Sequence, residues 1–304
     1  MPDNQTIPRN EIAVRPARPE DTAQVLELTR TIWDGEDYVP QVWEEWLADA
    51  KGSLVVAEYQ GRVVGLGKIT EVTPVDWYMR GLRVDPQFQG RGIAAVLHEE
   101  LLAWWERNGS GTLRLATHVE RYPVHHLCER TGFTRLGEYY YYRAPALQEP
   151  PLDLRQVDIE QAADTLAVAE GNPICDLTGG IMDLPWVQSA PALETIEPAL
   201  RLGHGFWWRE RGGLMLLGLD NDDQVGPMAY IQYLVCPRDE LVECLLDARR
   251  VASNLERNYI GWMTLHNSEM ESVLQAVGFE RAWDGSIYIY EKGARAKLPV
   301  RGGL

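Results

Sequence analysis

The stretch Gly81-Leu82-Arg83-Val84-Asp85-Pro86-Gln87-Phe88-Gln89-Gly90-Arg91-Gly92-Ile93-Ala94 decides how the rest of the chain reads. Its opening residues end an extended run that begins at Asp76, its middle is a turn carrying a proline and two glycines, and its last residues start a long helical pattern. A strand that turns directly into a helix leaves successive backbone N–H groups without intrahelical partners and aims them, with the helix dipole, at one point. Such a corner holds an anion. Glycine at 90 and 92 lets a phosphate approach the main chain with no Cβ in the way. Two familiar phosphate loops are absent: there is no GxxxxGK(S/T), and no GxGxxG followed by an acidic residue on a next strand.

Outward from this corner the period of the apolar residues assigns the elements. Upstream, Ile12 begins an extended segment, and Val25, Leu26, Leu28 and Ile32 make the stripe of a first helix. A loop from Asp34 to Pro40 leads to a second helix carrying Trp43, Trp46 and Leu47. Ser53–Glu58, Val63–Thr70 and Asp76–Val84 read as three consecutive strands, the first two joined by the turn Gln60-Gly61-Arg62. Downstream, Leu97, Leu101, Trp104 and Trp105 recur at helical spacing between Ile93 and Arg107. Thr112–Thr117 is a strand, Val124–Arg130 a short helix, and Tyr139–Tyr142 a last strand. The order β-α-α-β-β-β-α-β-α-β predicts an α/β (α+β) domain with a mixed, mostly antiparallel sheet flanked by helices.

The same grammar starts again after Ala144–Pro151. Leu152–Arg155 and Ile159–Ala169 repeat the opening strand and helix; Phe206–Trp208, Leu214–Leu219 and Met228–Val235 repeat the three strands. Glu240–Leu255, Tyr259–Leu265 and Met270–Val277 follow as helix, strand and short helix. Gly132-Phe133 is echoed by Gly278-Phe279, each after a short helix. A tandem repeat is therefore expected. The domain plan is a disordered N-terminus over 1–11, a first domain over 12–146, a linker over 147–151, a second domain over 152–293 and a flexible tail over 294–304.

Composition bounds the function. With 304 residues, two domains are the natural expectation. A net charge of −16 argues against nucleic-acid binding, which needs a basic surface. No apolar run of membrane-spanning length and no signal peptide occur, so no membrane association and a cytoplasmic location are expected. The four cysteines, Cys128, Cys175, Cys236 and Cys244, have neither zinc-site nor CxxC spacing, which predicts free thiols and no metal.

The pattern Gln-x-x-Gly-x-Ala at Gln89–Ala94, after Leu82-Arg83-Val84-Asp85-Pro86 and before Glu129-Arg130-Thr131-Gly132-Phe133, resembles the coenzyme A signature of the GNAT N-acetyltransferase superfamily. The resemblance runs over about residues 12–143. It implies two tandem GNAT-like domains, the first catalytic, with acetyl-CoA as co-substrate. It further implies that Gln89, Gly90, Arg91, Gly92, Ile93 and Ala94 wrap the pyrophosphate, and that Leu82, Arg83 and Val84 pair with the pantetheine arm. The amide near Val84 would face the thioester oxygen. The acceptor amine would attack the thioester directly, with no acyl-enzyme.

The proton-transfer groups are atypical. Many family members carry a tyrosine general acid on the short helix, where this chain has Leu127-Cys128-Glu129. Cys128 is a candidate donor or a buried small hydrophobe; Tyr122, a tyrosine of 139–142, or solvent are the alternatives. His118, just after a strand, is a candidate for proton relay. Glu36, Asp37 and Tyr38 lie in the loop that borders the acceptor site in the superfamily, although acidic residues flanking a glycine also make ordinary turns. Trp77 is a candidate wall of the acceptor pocket. The run Trp33–Pro40, with Trp46, resembles a loop of histidine N-acetyltransferase-like proteins, pointing to a small primary amine such as an amino acid. A non-catalytic acyl-CoA sensor and a protein N-terminal or lysine acetyltransferase are the alternatives. The second half has Val235-Cys236-Pro237-Arg238-Asp239-Glu240-Leu241 where the phosphate loop should be, with no glycine and two acids. That predicts a degenerate copy covering the acceptor site, forming a homodimer surface or supporting the first half.

Overall fold

The computed structural model describes residues 6–222 and 224–293. They form two compact units, one of residues 6–114, 126–133 and 291–293, the other of residues 115–125 and 134–290.

In the first unit the chain runs through β1 (Ala13–Pro16), α1 (Thr22–Thr29), α2 (Val39–Ala48), β2 (Ser53–Tyr59), β3 (Arg62–Thr73), β4 (Asp76–Val84) and α3 (Ile93–Asn108). Next in the chain come β5 (Thr112–His118) and α4 (Tyr122–Arg130), each divided between the units, and β6 (Thr134–Pro145) of the second unit. Strands β1 to β4 pair antiparallel in sequence order, and β4 pairs parallel with β5. Leu54, Val56 and Leu66 join Val25, Leu28, Trp43 and Trp46 of α1 and α2 in one core cluster. Successive strand residues face opposite sides, so Gly65 and Gly67 meet the other layer: a Cβ on either would lie within 2.9 Å of Leu97 or Leu101 of α3. The sheet is thus held between α1–α2 and α3. The expected elements form, with boundaries moved by a few residues.

The other unit repeats the plan. After β7 (Leu154–Gln156) come α5 (Ala162–Glu170), the single turn α6 (Cys175–Thr178), a small hairpin β8 (Met182–Asp183) and β9 (Gln188–Ser189), and α7 (Leu193–Arg201). Then follow β10 (Gly205–Trp208), β11 (Gly213–Asp222), β12 (Gly226–Val235), α8 (Leu241–Asn254), β13 (Tyr259–Leu265), α9 (Ser268–Ala276), β14 (Glu280–Arg281) and β15 (Ile287–Gly293). Met215, Leu217 and Ile231 pack with Cys244, Leu245, Ala248 and Val251 of α8. Leu214, Leu216 and Tyr233 pack with α5 and with Ile196 and Leu200 of α7. The hairpin β8–β9 and helix α7 had no counterpart in the sequence reading: each strand of the hairpin is only two residues long, and Pro198 interrupts the helical pattern of α7.

Three boundaries depart from the expected plan. Strand β6, assigned by sequence to the first domain, belongs to the second unit and pairs antiparallel with β13 from Tyr139↔Leu265 to Pro145↔Tyr259. Residues 146–154 are also tied down rather than free: Leu147 N donates to Arg249 O at 3.1 Å, and buried Asp247 accepts the amides of Leu152, Asp153 and Leu154 at 2.7–2.9 Å. Of the N-terminus read as disordered, residues 6–11 are ordered: Ile7 is buried and its amide donates to Arg91 O at 3.1 Å. Residues 1–5 and the tail 294–304 lie outside the described residues.

Candidate functional site

Strand β4 is built to be irregular. Leu66 faces Arg83 and Lys68 faces Arg80, so Gly67 alone opposes both Gly81 and Leu82. This is a β-bulge, which leaves a backbone group outside the ladder and re-aims the residues beyond it. Gly81 has φ +69°, and a Cβ there would lie 2.5 Å from the Trp46 ring, so glycine alone fits. On its other edge β4 pairs with β5 only from Asp76↔Thr112 to Tyr78↔Arg114. The ladder ends at Tyr78↔Arg114, which leaves that edge of Met79–Val84 outside it. The open edge can accept an extended ligand as a further strand.

The turn that follows is braced on all sides. Asp85, buried, accepts the Gln87 amide at 2.9 Å and Arg62 Nη2 at 2.6 Å, and its own amide donates to Val64 O at 3.0 Å. The guanidinium of Arg91 lies 5.4 Å from the Phe88 ring and 5.9 Å from that of Tyr59. Gln89 Nε2 donates to Val84 O at 3.3 Å. Gly90 and Gly92 both take left-handed φ, +75° and +93°, and Gly92 is the N-cap of α3. The first closing bond of the helix is Val96 N to Gly92 O, 3.2 Å, so the amides of Ile93, Ala94 and Ala95 precede it. The structure therefore joins an unladdered strand edge to a helix N-terminus, the geometry for an elongated ligand with an anionic group.

Other expected site residues fall elsewhere. Cys128 on α4 is fully buried, and burial pushes its thiol up to about 12. A sulfur with no solvent exposure and so raised a pKa sits as a core atom, which fits the buried-hydrophobe reading of the two that the sequence left open. Trp77 is also core: it is buried and meets Trp104 of α3 edge-on at 5.9 Å. Asp37 is 2% exposed and accepts a bidentate pair from Arg83, Nε at 2.8 Å and Nη2 at 2.9 Å. The Arg83 guanidinium in turn lies 4.3 Å from the Trp33 ring and 5.2 Å from that of Tyr38. Asp37 thus anchors the α1–α2 loop to β4 and is not a free acidic group, while Glu36 beside it is exposed. His118 lies in the second unit, half-buried at the end of β5, where its Nδ1 accepts the Glu120 amide at 3.2 Å.

Sequence reading passed over His98, which is fully buried in α3. Thr131 Oγ1 donates to Leu127 O, so the 2.9 Å contact of His98 Nε2 with that hydroxyl has the imidazole donating. Its Nδ1 is buried without a partner among the described residues, and burial pushes its pKa down to about 4. It is a neutral packing histidine. The second unit keeps the bulge without the glycines. Gln232 is the extra residue of β12, three positions before the strand end as Gly81 is in β4, and the β12–β13 ladder stops at Ile231↔Trp262. The following turn instead carries Glu240, which accepts Trp208 Nε1 at 2.6 Å and pairs with Arg209.

Comparison with known proteins agrees with this geometry. Residues 21–133 match the family model for acetyltransferases of the GNAT family. A histidine N-acetyltransferase of Oreochromis niloticus is 28% identical over 124 residues, 40% of this chain and 32% of its own length. An aminoglycoside N(6')-acetyltransferase type 1 of Stenotrophomonas maltophilia is 29% identical over 142 residues, 43% of this chain and 92% of its own. The chain thus spans about a third of the former. A tandem GNAT protein from the clavulanic acid biosynthesis pathway superposes with a TM-score of 0.56 at 15% identity, over 95% of this chain and all of that one, which extends the shared fold to the second half. The bulge, the end of the β4–β5 ladder and the glycine corner all lie inside the matched segment, and residues 21–133 form an acetyltransferase domain of the GNAT family.

Proposed function

We propose that this chain transfers an acetyl group from acetyl-CoA to a primary amine of a small molecule, with one working site in the first unit. The observation that carries the reading is the continuity of the β4 edge with the glycine corner. In this reading the pantetheine amides pair with Leu82, Arg83 and Val84, and the diphosphate sits on the main-chain amides from Gln89 to Ala94. The acceptor nitrogen attacks the thioester carbon, a C–N bond forms, the C–S bond breaks, and the electron pair leaves on sulfur. An amide at the end of β4 would stabilise the oxyanion. The ammonium, of pKa about 10, must lose a proton before attack, while the thiolate of pKa about 8.5 takes one up. With Cys128 in the core, solvent is the simplest proton donor. The relatives named for histidine and aminoglycoside acetylation support a small soluble amine as acceptor.

The second unit, with Pro237–Glu240 in place of glycines, is proposed to bind no coenzyme A, because Asp239 and Glu240 would repel a diphosphate. The test is calorimetric titration of the full chain with coenzyme A, paired with thiol release from acetyl-CoA over a panel of amines. One site per chain with turnover is expected. Gly92→Glu forces a side chain into a φ of +93° and sets a carboxylate at the corner, so affinity should fall at least 100-fold. Undiminished affinity would refute the loop assignment; binding without turnover on any amine would make the chain a sensor.

A further inference from the structure

Beside the bulge, on the α2 side of the sheet, lies an open depression of about 420 Å³ lined by Glu45, Trp46, Asp49, Thr70 and Arg80 among others. That volume suits a ligand of amino-acid size. Three of its lining side chains carry a buried polar atom with no hydrogen-bond partner among the described residues: Trp46 Nε1, Thr70 Oγ1 and Arg80 Nε. Trp46 itself is 1% exposed. Buried polar atoms in folded proteins are nearly always partnered, so three on one depression mark a place where something else supplies the partner. Two of the three can only donate, and the hydroxyl can donate as well. Their complement is therefore a group rich in acceptors.

The charges narrow it further. The Arg80 guanidinium lies 5.0 Å from the Trp46 ring and has no carboxylate pair among the described residues, which leaves its positive charge for a ligand. Asp49, the nearest candidate to neutralise it, is already engaged: Lys68 Nζ donates to it from a fully buried position, and the amides of Lys51 and Gly52 donate at 3.0 and 3.2 Å. Glu45 is exposed, at the rim. The depression thus carries a cation with no carboxylate pair among the described residues, buried donors behind it and an acidic edge. Trp46 links it to the reaction line, since its ring also covers Gly81 at the bulge.

We infer that this depression is the acceptor subsite and that the Arg80 guanidinium, seated over the Trp46 ring and backed by the buried donors Trp46 Nε1 and Thr70 Oγ1, holds the carboxylate of an amino-acid-like acceptor, with the Glu45 edge receiving any further positive group. The inference rests on the proposed acetyl transfer. It is separate from the loop residues Glu36 to Tyr38, none of which lines the depression.

The test compares a free amino acid with its carboxamide, in the full chain, for wild type, Arg80→Met and Trp46→Phe. Wild type should prefer the free acid by at least tenfold in kcat/KM, and either substitution should bring that ratio toward 1, chiefly through KM of the acid. Coenzyme A titration of each variant verifies folding, and Trp46→Phe carries the test should Arg80→Met fail to fold. Equal use of acid and amide by wild type, or an unchanged preference in the folded variants, would overturn the inference while leaving acetyl transfer standing. If no amine turns over, acetyl transfer fails instead. Calorimetric binding of the amino acid to the coenzyme-A-loaded chain then decides: binding of the acid over the amide, lost in Arg80→Met, sustains the subsite, and its absence refutes it.

Discussion

Replacing Asp37 by alanine separates an anchoring role from a role in holding the acceptor. The carboxylate has a side-chain exposure of 1% and the Arg83 guanidinium 11%, and two charge-assisted bonds of 2.8 and 2.9 Å join them. The same carboxylate accepts the Val39 amide at 3.2 Å, at the first turn of α2. Removing one partner of a buried ion pair costs about 3–5 kcal/mol, because the other charge is left desolvated. Arg83 keeps a 3.3 Å bond to Leu82 O and its aromatic neighbours, so the low end, about 3 kcal/mol, is expected. Urea denaturation of the full chain, followed by tryptophan fluorescence, measures the loss. Arg83→Met alone, and combined with Asp37→Ala, completes the cycle: the double substitution removes both charges and should cost far less than the two singles added, giving a coupling well above the ~0.5 kcal/mol found for independent sites. A loss below about 1 kcal/mol, or effects that simply add, would refute the anchoring role. A raised KM for the amine with unchanged stability would return Asp37 to the acceptor site.

Two further outcomes test the reassigned residues. Cys128→Ala should leave kcat and its pH profile unchanged, with a modest stability loss from the small cavity; a kcat drop of tenfold or more would restore the thiol to the chemistry. Asp183, buried in the β8–β9 hairpin, accepts Gln188 Nε2 at 2.8 Å and the Trp186 amide at 3.1 Å, and burial pushes its carboxyl up to about 6. A folded pKa above the unfolded value means stability that is full below about pH 4 and lost as pH rises through about 6. Asp183→Asn keeps the accepting oxygen without the charge. It should therefore match wild type near pH 4 and exceed it by up to about 3 kcal/mol at pH 8, and a pH-independent difference in denaturation would contradict the assignment.

Much of the site was legible because its signals are local. The alternation of Asp76–Val84, the glycines at 90 and 92 and the stripe of Leu97 and Leu101 each lie within a few residues of what they determine, and strand, corner and helix follow from steric and capping rules. The tandem plan was legible for the same reason, each repeat restating one local grammar. The chemistry on the acceptor side was not, because it depends on contacts between residues far apart in the chain. Asp37 reads as a loop acid until Arg83, 46 residues on, takes both its oxygens. Cys128 and Trp77 read as site candidates until packing buries them. Arg80, Trp46 and Thr70 carry no motif, and the role proposed for them comes from one buried polar atom on each with no hydrogen-bond partner among the described residues.

Sequence alone determined the order of elements, the glycine corner and the loss of that corner in the second half, since backbone conformation and helix capping are decided by neighbours along the chain. Tertiary structure alone decided where the β4–β5 ladder ends, that β6 pairs with β13, and which polar atoms have no hydrogen-bond partner among the described residues. Strand pairing and desolvation are set by residues that meet only after the chain has folded, and no local pattern encodes them.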